Sequence, residues 1–182
     1  GNNSASRIAK WDGIGWSPLG SGTDSLVLDI EITGDSLFAC GDFINAGGVL
    51  VNHIAMWDGS SWNALGSGIN GRVRTIFIKD SVIYAGGDFT IAGGVAANYI
   101  AKWDGVSWTS LGSGVNNSVY SIGSMSNDIY AAGLFTTAGG NTANRIAKWD
   151  GNSWQPLGSG LNNMVQSIYI NGNLIYAGGN FT

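Results

Sequence analysis

The apolar positions of this chain alternate over short stretches and stop at glycines. Val73-Arg74-Thr75-Ile76-Phe77-Ile78 is rich in β-branched residues with partial period two, and Lys79-Asp80-Ser81 interrupts it as a turn. Val82-Ile83-Tyr84-Ala85-Gly86-Gly87 is a second extended stretch that ends on small residues. A longer connection, Phe89 through Asn98, carries Ala92-Gly93-Gly94. Tyr99-Ile100-Ala101-Lys102-Trp103 predicts a third strand and Ser107-Trp108-Thr109-Ser110-Leu111 a fourth. Between them Asp104-Gly105 signals a tight turn, because Gly accepts positive φ and Asp bonds to nearby backbone. No window offers helical spacing with caps, and each glycine inside a helix would cost about 1 kcal/mol. The pattern predicts an all-β chain.

This four-strand unit recurs every 46 residues without insertion. Trp11-Asp12-Gly13 returns as Trp57-Asp58-Gly59, Trp103-Asp104-Gly105 and Trp149-Asp150-Gly151. A second series, Trp16, Trp62, Trp108 and Trp154, follows five residues behind, and together the two series use all eight tryptophans. Four short strands at this period match the blade of a β-propeller, a fold that stacks four-stranded antiparallel sheets around an axis. One repeat cannot bury its own faces, so both tryptophan series are expected to pack between blades. Asp12, Asp58, Asp104 and Asp150 are expected to tie their turns to the backbone rather than to hold a metal or act in catalysis.

The repeat also predicts how the ends relate. With strands named a to d from the axis outwards, residues 1–182 form one domain that opens with strands c and d and finishes with a and b. Those halves make one composite blade, which would remove free edges. The two residues missing from four full periods fall opposite Thr137 and Ala138, in the b–c connection. Two rings fit, a four-bladed monomer or a homodimer sharing composite blades in an eight-bladed ring, and a fragment of a longer repeat array is the remaining alternative. The Gly- and Ala-rich second strands favour the closer packing of the dimer.

The repeat resembles the kelch family. Ile83-Tyr84-Ala85-Gly86-Gly87 is similar to the kelch strand ending in a glycine pair, Ile100-Ala101-Lys102-Trp103-Asp104 to the strand after it, and Trp108-Thr109-Ser110-Leu111 to the kelch Trp strand. Gly112-Ser113-Gly114 stands where kelch repeats carry proline, and Gly93-Gly94 is an added pair. The phrase Ile-Ala-Lys-Trp-Asp-Gly with a downstream Ala-Gly-Gly also resembles repeats in bacterial secreted and cell-surface proteins. The resemblance implies a propeller. It does not choose among scaffold, lectin-like binder and oxidase, and the oxidase's Tyr, His and Cys ligand set cannot be assembled here.

Composition narrows the chemistry. Only 11% of residues are charged and the net charge is −4, so no basic stripe for nucleic acid exists. No apolar run approaches the roughly 18 residues of a membrane span. A surface of Ser, Thr, Asn and Gly is associated with extracellular bacterial β-proteins, so secretion or cell-surface display is expected, with any signal peptide outside this chain. Cys40 is the single cysteine and, with Gly86, Ala132 and Gly178 in its slot, reads as a small buried filler. His53 is the single histidine, too few for a zinc or copper site, and no cofactor is expected. Sequons at Asn2, Asn116 and Asn180 matter only in a glycosylating host.

Candidate binding residues lie in connections that emerge on one side of the blades. The b–c connections carry Asn52, Asn98 and Asn144, with Ser6 in the first copy, and the d–a connections carry Asp24, Asn70, Asn116 and Asn162. A ring of amides offers paired donors and acceptors to a carbohydrate or a protein, while the competing reading is that these residues cap their own loops. A non-enzymatic binding module is expected. The alternatives are a purely structural repeat or a hydrolase near the ring axis, hinted at only by Asp29, Glu31, Asp35 and Asp42.

Overall fold

The computed structural model describes residues 5–182 and contains no helix among them. Strands β1 (Ala9–Trp11) and β2 (Trp16–Pro18) form a two-stranded sheet. Three complete antiparallel blades follow, each ordered a-b-c-d. The first is β3 (Val27–Thr33), β4 (Ser36–Gly41), β7 (Ile54–Trp57) and β8 (Trp62–Ala64). The second is β9 (Val73–Lys79), β10 (Val82–Gly87), β13 (Ile100–Trp103) and β14 (Trp108–Ser110). The third is β15 (Val119–Met125), β16 (Asp128–Gly133), β19 (Ile146–Trp149) and β20 (Trp154–Pro156). A last pair, β21 (Val165–Asn171) and β22 (Leu174–Gly179), stands alone.

The strands predicted from the alternation are present within a residue or two. Two details differ. The b–c connection is not a plain loop. It folds into a small hairpin in each full blade: β5 (Asn45–Ala46) with β6 (Val49–Leu50), β11 (Ile91–Ala92) with β12 (Val95–Ala96), and β17 (Thr137–Ala138) with β18 (Asn141–Thr142). The added glycine pair causes this, because Gly93 and Gly94 turn the chain at φ of 59° and 83°. The Trp-Asp-Gly turn is also longer than two residues. Trp57 pairs with Trp62, which leaves four residues between the strands, and the Asp58 N–H donates to the Ser61 carbonyl.

Successive blades meet through their inner strands, β3 on β9, β9 on β15 and β15 on β21. The second strands supply the small residues that let them approach: Ala39, Cys40, Ala85, Ala131 and Ala132 are fully buried. At the junction of the first two blades, Phe38, Cys40 and Ile54 pack against Ile76, Ile83 and Ala85. Burial pushes the Cys40 thiol well above its ordinary pKa, so it serves as filler.

Each junction is locked by tryptophan. Trp62, Trp108 and Trp154 are buried, and their indole Nε1–H groups donate to the carbonyls of Leu19, Leu65 and Leu111 on the preceding blade at 2.9, 2.9 and 2.8 Å. Trp57, Trp103 and Trp149 lean on them with ring centroids 5.4–5.5 Å apart and tilted planes. The inter-blade role expected for the tryptophans holds at these six positions. Trp11 and Trp16, on the first half-blade, are largely exposed.

The composite blade expected from the two terminal halves does not form within one chain. The pairs β1–β2 and β21–β22 remain separate sheets, and none of the extensive inter-strand contacts joins β21 to β3 or β22 to β1. A four-bladed ring closed by one chain is therefore not what this structure adopts. The blades fan into an open arc, with buried Ala residues of the second strands lining the junctions.

Replacing Trp108 by Phe keeps most of the buried ring but removes the indole donor, leaving the Leu65 carbonyl with the Gly68 N–H alone. The expected loss is about 0.5–1.5 kcal/mol in urea unfolding, the net worth of one hydrogen bond. Val106→Ala, on the exposed turn nearby, is expected to stay within about 0.5 kcal/mol of wild type.

Candidate functional site

The d–a connections and the b–c hairpins emerge on the same side of the blades and are woven together. Isolated bridges link Thr23 to Ala46, Ile69 to Ala92 and Val115 to Ala138. The Gly93 N–H donates to Gly68, and the Ile69 N–H donates to Asn52 of the blade before. The d–a connections at Ile69 and Val115 are thus held between two successive hairpins, and clefts open along this side of the blades.

The two asparagine series meet in these clefts. One, of about 320 Å³, is lined by Asn52, His53, Ser67, Ile69 and Asn70. Another, of about 370 Å³, is lined by Asn144, Arg145, Ser159, Leu161 and Asn162, the same repeat positions two blades on. Asn98 and Asn116 hold the corresponding places between them.

The amides are not idle. Asn52, Asn98 and Asn144 each donate Nδ2–H to the carbonyl of Ser67, Ser113 or Ser159 at 2.9–3.0 Å. Asn70 accepts the N–H groups of Thr90 and Ile91 on Oδ1 and donates to the Thr90 hydroxyl. Asn116 does the same with Thr136 and Thr137. Asn162 bonds both ways with Thr182. In the first copy Ile44 stands where the threonine would be, and the donor is instead Asn45, so the residue that receives it is Asp24. That swap explains why one copy carries a carboxylate. The Asp24 carboxyl sits below its ordinary range, chiefly through the Asn45 amide. Loop clipping thus uses most of each side chain. An asparagine amide has two N–H groups, so one lies outside these loop bonds.

Beside each b–c asparagine lies a variable slot occupied by Arg7, His53, Tyr99 and Arg145, all at positive φ of 63–70°. Such a backbone is uncommon for large residues and is held here by the surroundings. His53 Nδ1 lies 3.1 Å from the Gly41 carbonyl, Arg7 donates to Thr23, Arg145 donates to Leu134, and Tyr99 packs against the core of the third blade.

The carboxylates of the Trp-Asp-Gly phrase sit at the outer rim, away from these clefts. Each accepts two backbone N–H groups on Oδ1, such as Ser60 and Ser61 for Asp58, and Val106 and Ser107 for Asp104. The turn role expected for them is what the structure shows. The N–H groups of Ser61 and Ser60 hold the Asp58 carboxyl far below the usual range, and Asp12, Asp104 and Asp150 are lowered by the same kind of bonds.

The acidic residues of the first full blade are dispersed. Asp29 accepts the N–H groups of Ile30 and, across the junction, Ile76. Asp42 receives two hydrogen bonds from Arg72, and Asp35 lies in the β3–β4 turn. Burial, followed by the nearby Asp29 charge, raises the Glu31 carboxyl. Among the described residues no group of three His, Cys, Asp or Glu side chains is placed to hold a metal. Asn2 lies outside the described residues.

One cluster escaped the sequence reading. Arg72 pairs with Asp42, while Arg74 pairs with Asp88 and lies 4.6 Å above the Tyr120 ring. Burial of Asp88 is outweighed by hydrogen bonds from Arg74 and Ser118 and by both arginine charges, so its carboxyl stays low. The available signal was a departure from the repeat: no other copy carries Arg-x-Arg at the start of its inner strand.

The model of the Rax2 C-terminal beta propeller domain matches residues 18–172. This chain belongs to that family. The resemblance to kelch repeats therefore holds at the level of the propeller. The chain is similar in structure to the computationally designed Ika4 protein, at 13% identity and a TM-score of 0.59, covering 90% of this chain and 92% of that one. It is also similar to the computationally designed Ika8 protein, at 14% identity and a TM-score of 0.54, where 87% of this chain covers only 44% of the other. At such identity these likenesses concern the fold alone. No curated protein matches the chain.

Two outcomes follow from the loop and rim bonds. Asn116→Ala should speed hydrogen exchange of the Thr136 and Thr137 amides, and Asn116→Asp should speed it less, because the carboxylate keeps both acceptor roles. The rim carboxylates have folded pKa values below their ordinary 3.8, so the stability they contribute is present above that pH and is lost as pH falls through the lower folded values. The urea midpoint of the wild type should therefore drop on acidification below about pH 4, and Asp58→Asn should show a shallower drop.

Proposed function

We propose that this propeller is a non-enzymatic binding module, displayed outside the cell, whose loop face takes a hydroxyl-rich ligand such as a glycan chain. The observation that supports this most is the recurrence of one polar cleft at two blade junctions, framed alike by Asn52 with Asn70 and by Asn144 with Asn162. The frame is constant, and each amide keeps an N–H that points to no protein acceptor in its bond set. The wall changes from His53 in one cleft to Arg145 in the other, which suits a surface that grips one polymer at several points with different local preferences. Aromatic and amide groups side by side are a common answer to sugars, whose ring faces are apolar and whose rims are hydroxyls. The kelch-like repeat and the low charge agree with this role and with secretion. The hydrolase alternative draws less support, since Asp29 and Asp42 are bonded to backbone and to Arg72 respectively.

The test is a glycan array followed by titration calorimetry on the whole chain. A glycan that binds should lose about tenfold in affinity, about 1.4 kcal/mol, on Arg145→Ala or His53→Ala. The absence of any glycan bound above background would sink the carbohydrate reading. Turnover of a bound glycan would sink the non-enzymatic one.

A further inference from the structure

The repeat makes every inter-blade contact predictable, and the two ends of the arc carry complementary halves of one such contact. In the internal junctions, glycines leave room for side chains of the next blade. A methyl group on Gly20 would lie 3.2 Å from the Trp57 ring, on Gly66 3.3 Å from Trp103, and on Gly112 3.1 Å from Trp149. At Gly158, the fourth member, nothing lies within 4 Å, and the fourth tryptophan of that series, Trp11, is 53% exposed at the opposite end. Gly86 is closed over by Val119 and Ile122, whereas nothing lies near Gly178, the position 92 residues on. The residues that correspond to Val119 and Ile122 are Val27 and Ile30, again at the opposite end. Ile30 is 51% exposed where Ile76 is 2%, and Tyr176 is 55% exposed where Tyr130 is 6%.

The gap has the shape of what it lacks. A cleft of about 330 Å³ lies between the free edge of β1 and the face of β3, lined by Arg7, Ile8, Ala9, Val27, Asp29 and Ile30. In a complete blade this space belongs to the a and b strands of the preceding sheet. β21 and β22 are such a pair, and their outer face and edge are uncovered.

We propose that the two ends dock head to tail between two copies of this chain, so that β1 of one copy adds to β22 of the other and two such junctions close an eight-bladed ring. The register is fixed by the internal ladders. Ile129 faces Trp149, Tyr130 faces Lys148 and Ala131 faces Ala147, so Ile175 faces Trp11, Tyr176 faces Lys10 and Ala177 faces Ala9 of the partner copy. Trp11 fills the slot at Gly158, and Val27 with Ile30 fill that at Gly178. A second copy is the occupant because the interface continues the intrachain junction residue for residue, which an unrelated surface would not. The ring closes because the contact is heterologous and its rotation is that of the internal steps. This interface is independent of the loop-face ligand.

Light scattering coupled to chromatography reads it directly. The wild-type chain should show twice the 18.9 kDa of one copy from micromolar concentration upward. Gly178→Leu, placed in open space in the single chain, should leave the β-sheet circular dichroism unchanged and halve the mass. In a Cys40→Ser background, Lys10→Cys with Tyr176→Cys should form a disulfide between copies on oxidation. Lys102→Cys with Tyr84→Cys, facing each other within one blade, should form one inside the chain. A mass of one copy with the intrachain control disulfide formed overturns the proposal and leaves the ends to further repeats or another protein. A ladder of larger species overturns the two-copy ring.

Discussion

The indole hydrogen bond between blades is the constraint on which the rest depends. Each buried tryptophan sits on the outermost strand of one blade and donates to a leucine carbonyl at the end of the same strand in the blade before. A sheet of four short strands has little core of its own, so its position must be set by its neighbours. The Nε1–H fixes the spacing of two sheets at the rim, where they diverge most. Small residues on the b strands do the same near the axis. Between these two fixed distances the wedge angle is determined, and with it the curvature of the arc and the width of every loop-face cleft.

Much of this architecture was legible in the sequence because a tandem repeat is its own alignment. Four copies of Trp-Asp-Gly in one register separate what the fold needs from what varies. The strands, the tryptophan packing and the aspartate-held turns could all be read from that comparison. Less legible were features that depend on tertiary pairing. The b–c hairpins need the d–a connection beside them to complete the bridges at Ala46, Ala92 and Ala138. That the terminal pairs β1–β2 and β21–β22 stay apart within one chain is likewise a matter of tertiary geometry that no motif encodes.

The candidate site was legible in position, while the use of its asparagines stood open between ligand binding and loop capping. Both asparagine series were expected on one side of the propeller, and they share clefts there. Their amides prove to be occupied mainly with the loops. The signal was present as a coupled change: Asn70, Asn116 and Asn162 each accompany a threonine 20 residues later, while Asp24 accompanies Ile44 and Asn45. A ligand has no reason to couple those positions, whereas a hydrogen bond between them does. The slot of His53, Tyr99 and Arg145 shows the reverse pattern, a constant backbone conformation beneath a changing side chain. That combination locates variation on the surface without disturbing the frame.

The same logic ties the loop face to the ends of the arc. A cleft forms only where a hairpin of one blade meets the d–a connection leading into the next. Such a meeting already precedes each of β3, β9, β15 and β21. Ser6 and Arg7, at the start, already contact Gly22 and Thr23 as their equivalents do elsewhere, so that junction is built within the chain. What is missing is inward of it, where β3 presents Ile30 to solvent and β22 presents Tyr176. Covering them adds no new loop-face cleft but fixes the angle between the first and last ones. Ring closure would thus act on the spacing of the clefts along a bound polymer rather than on the chemistry of any one of them.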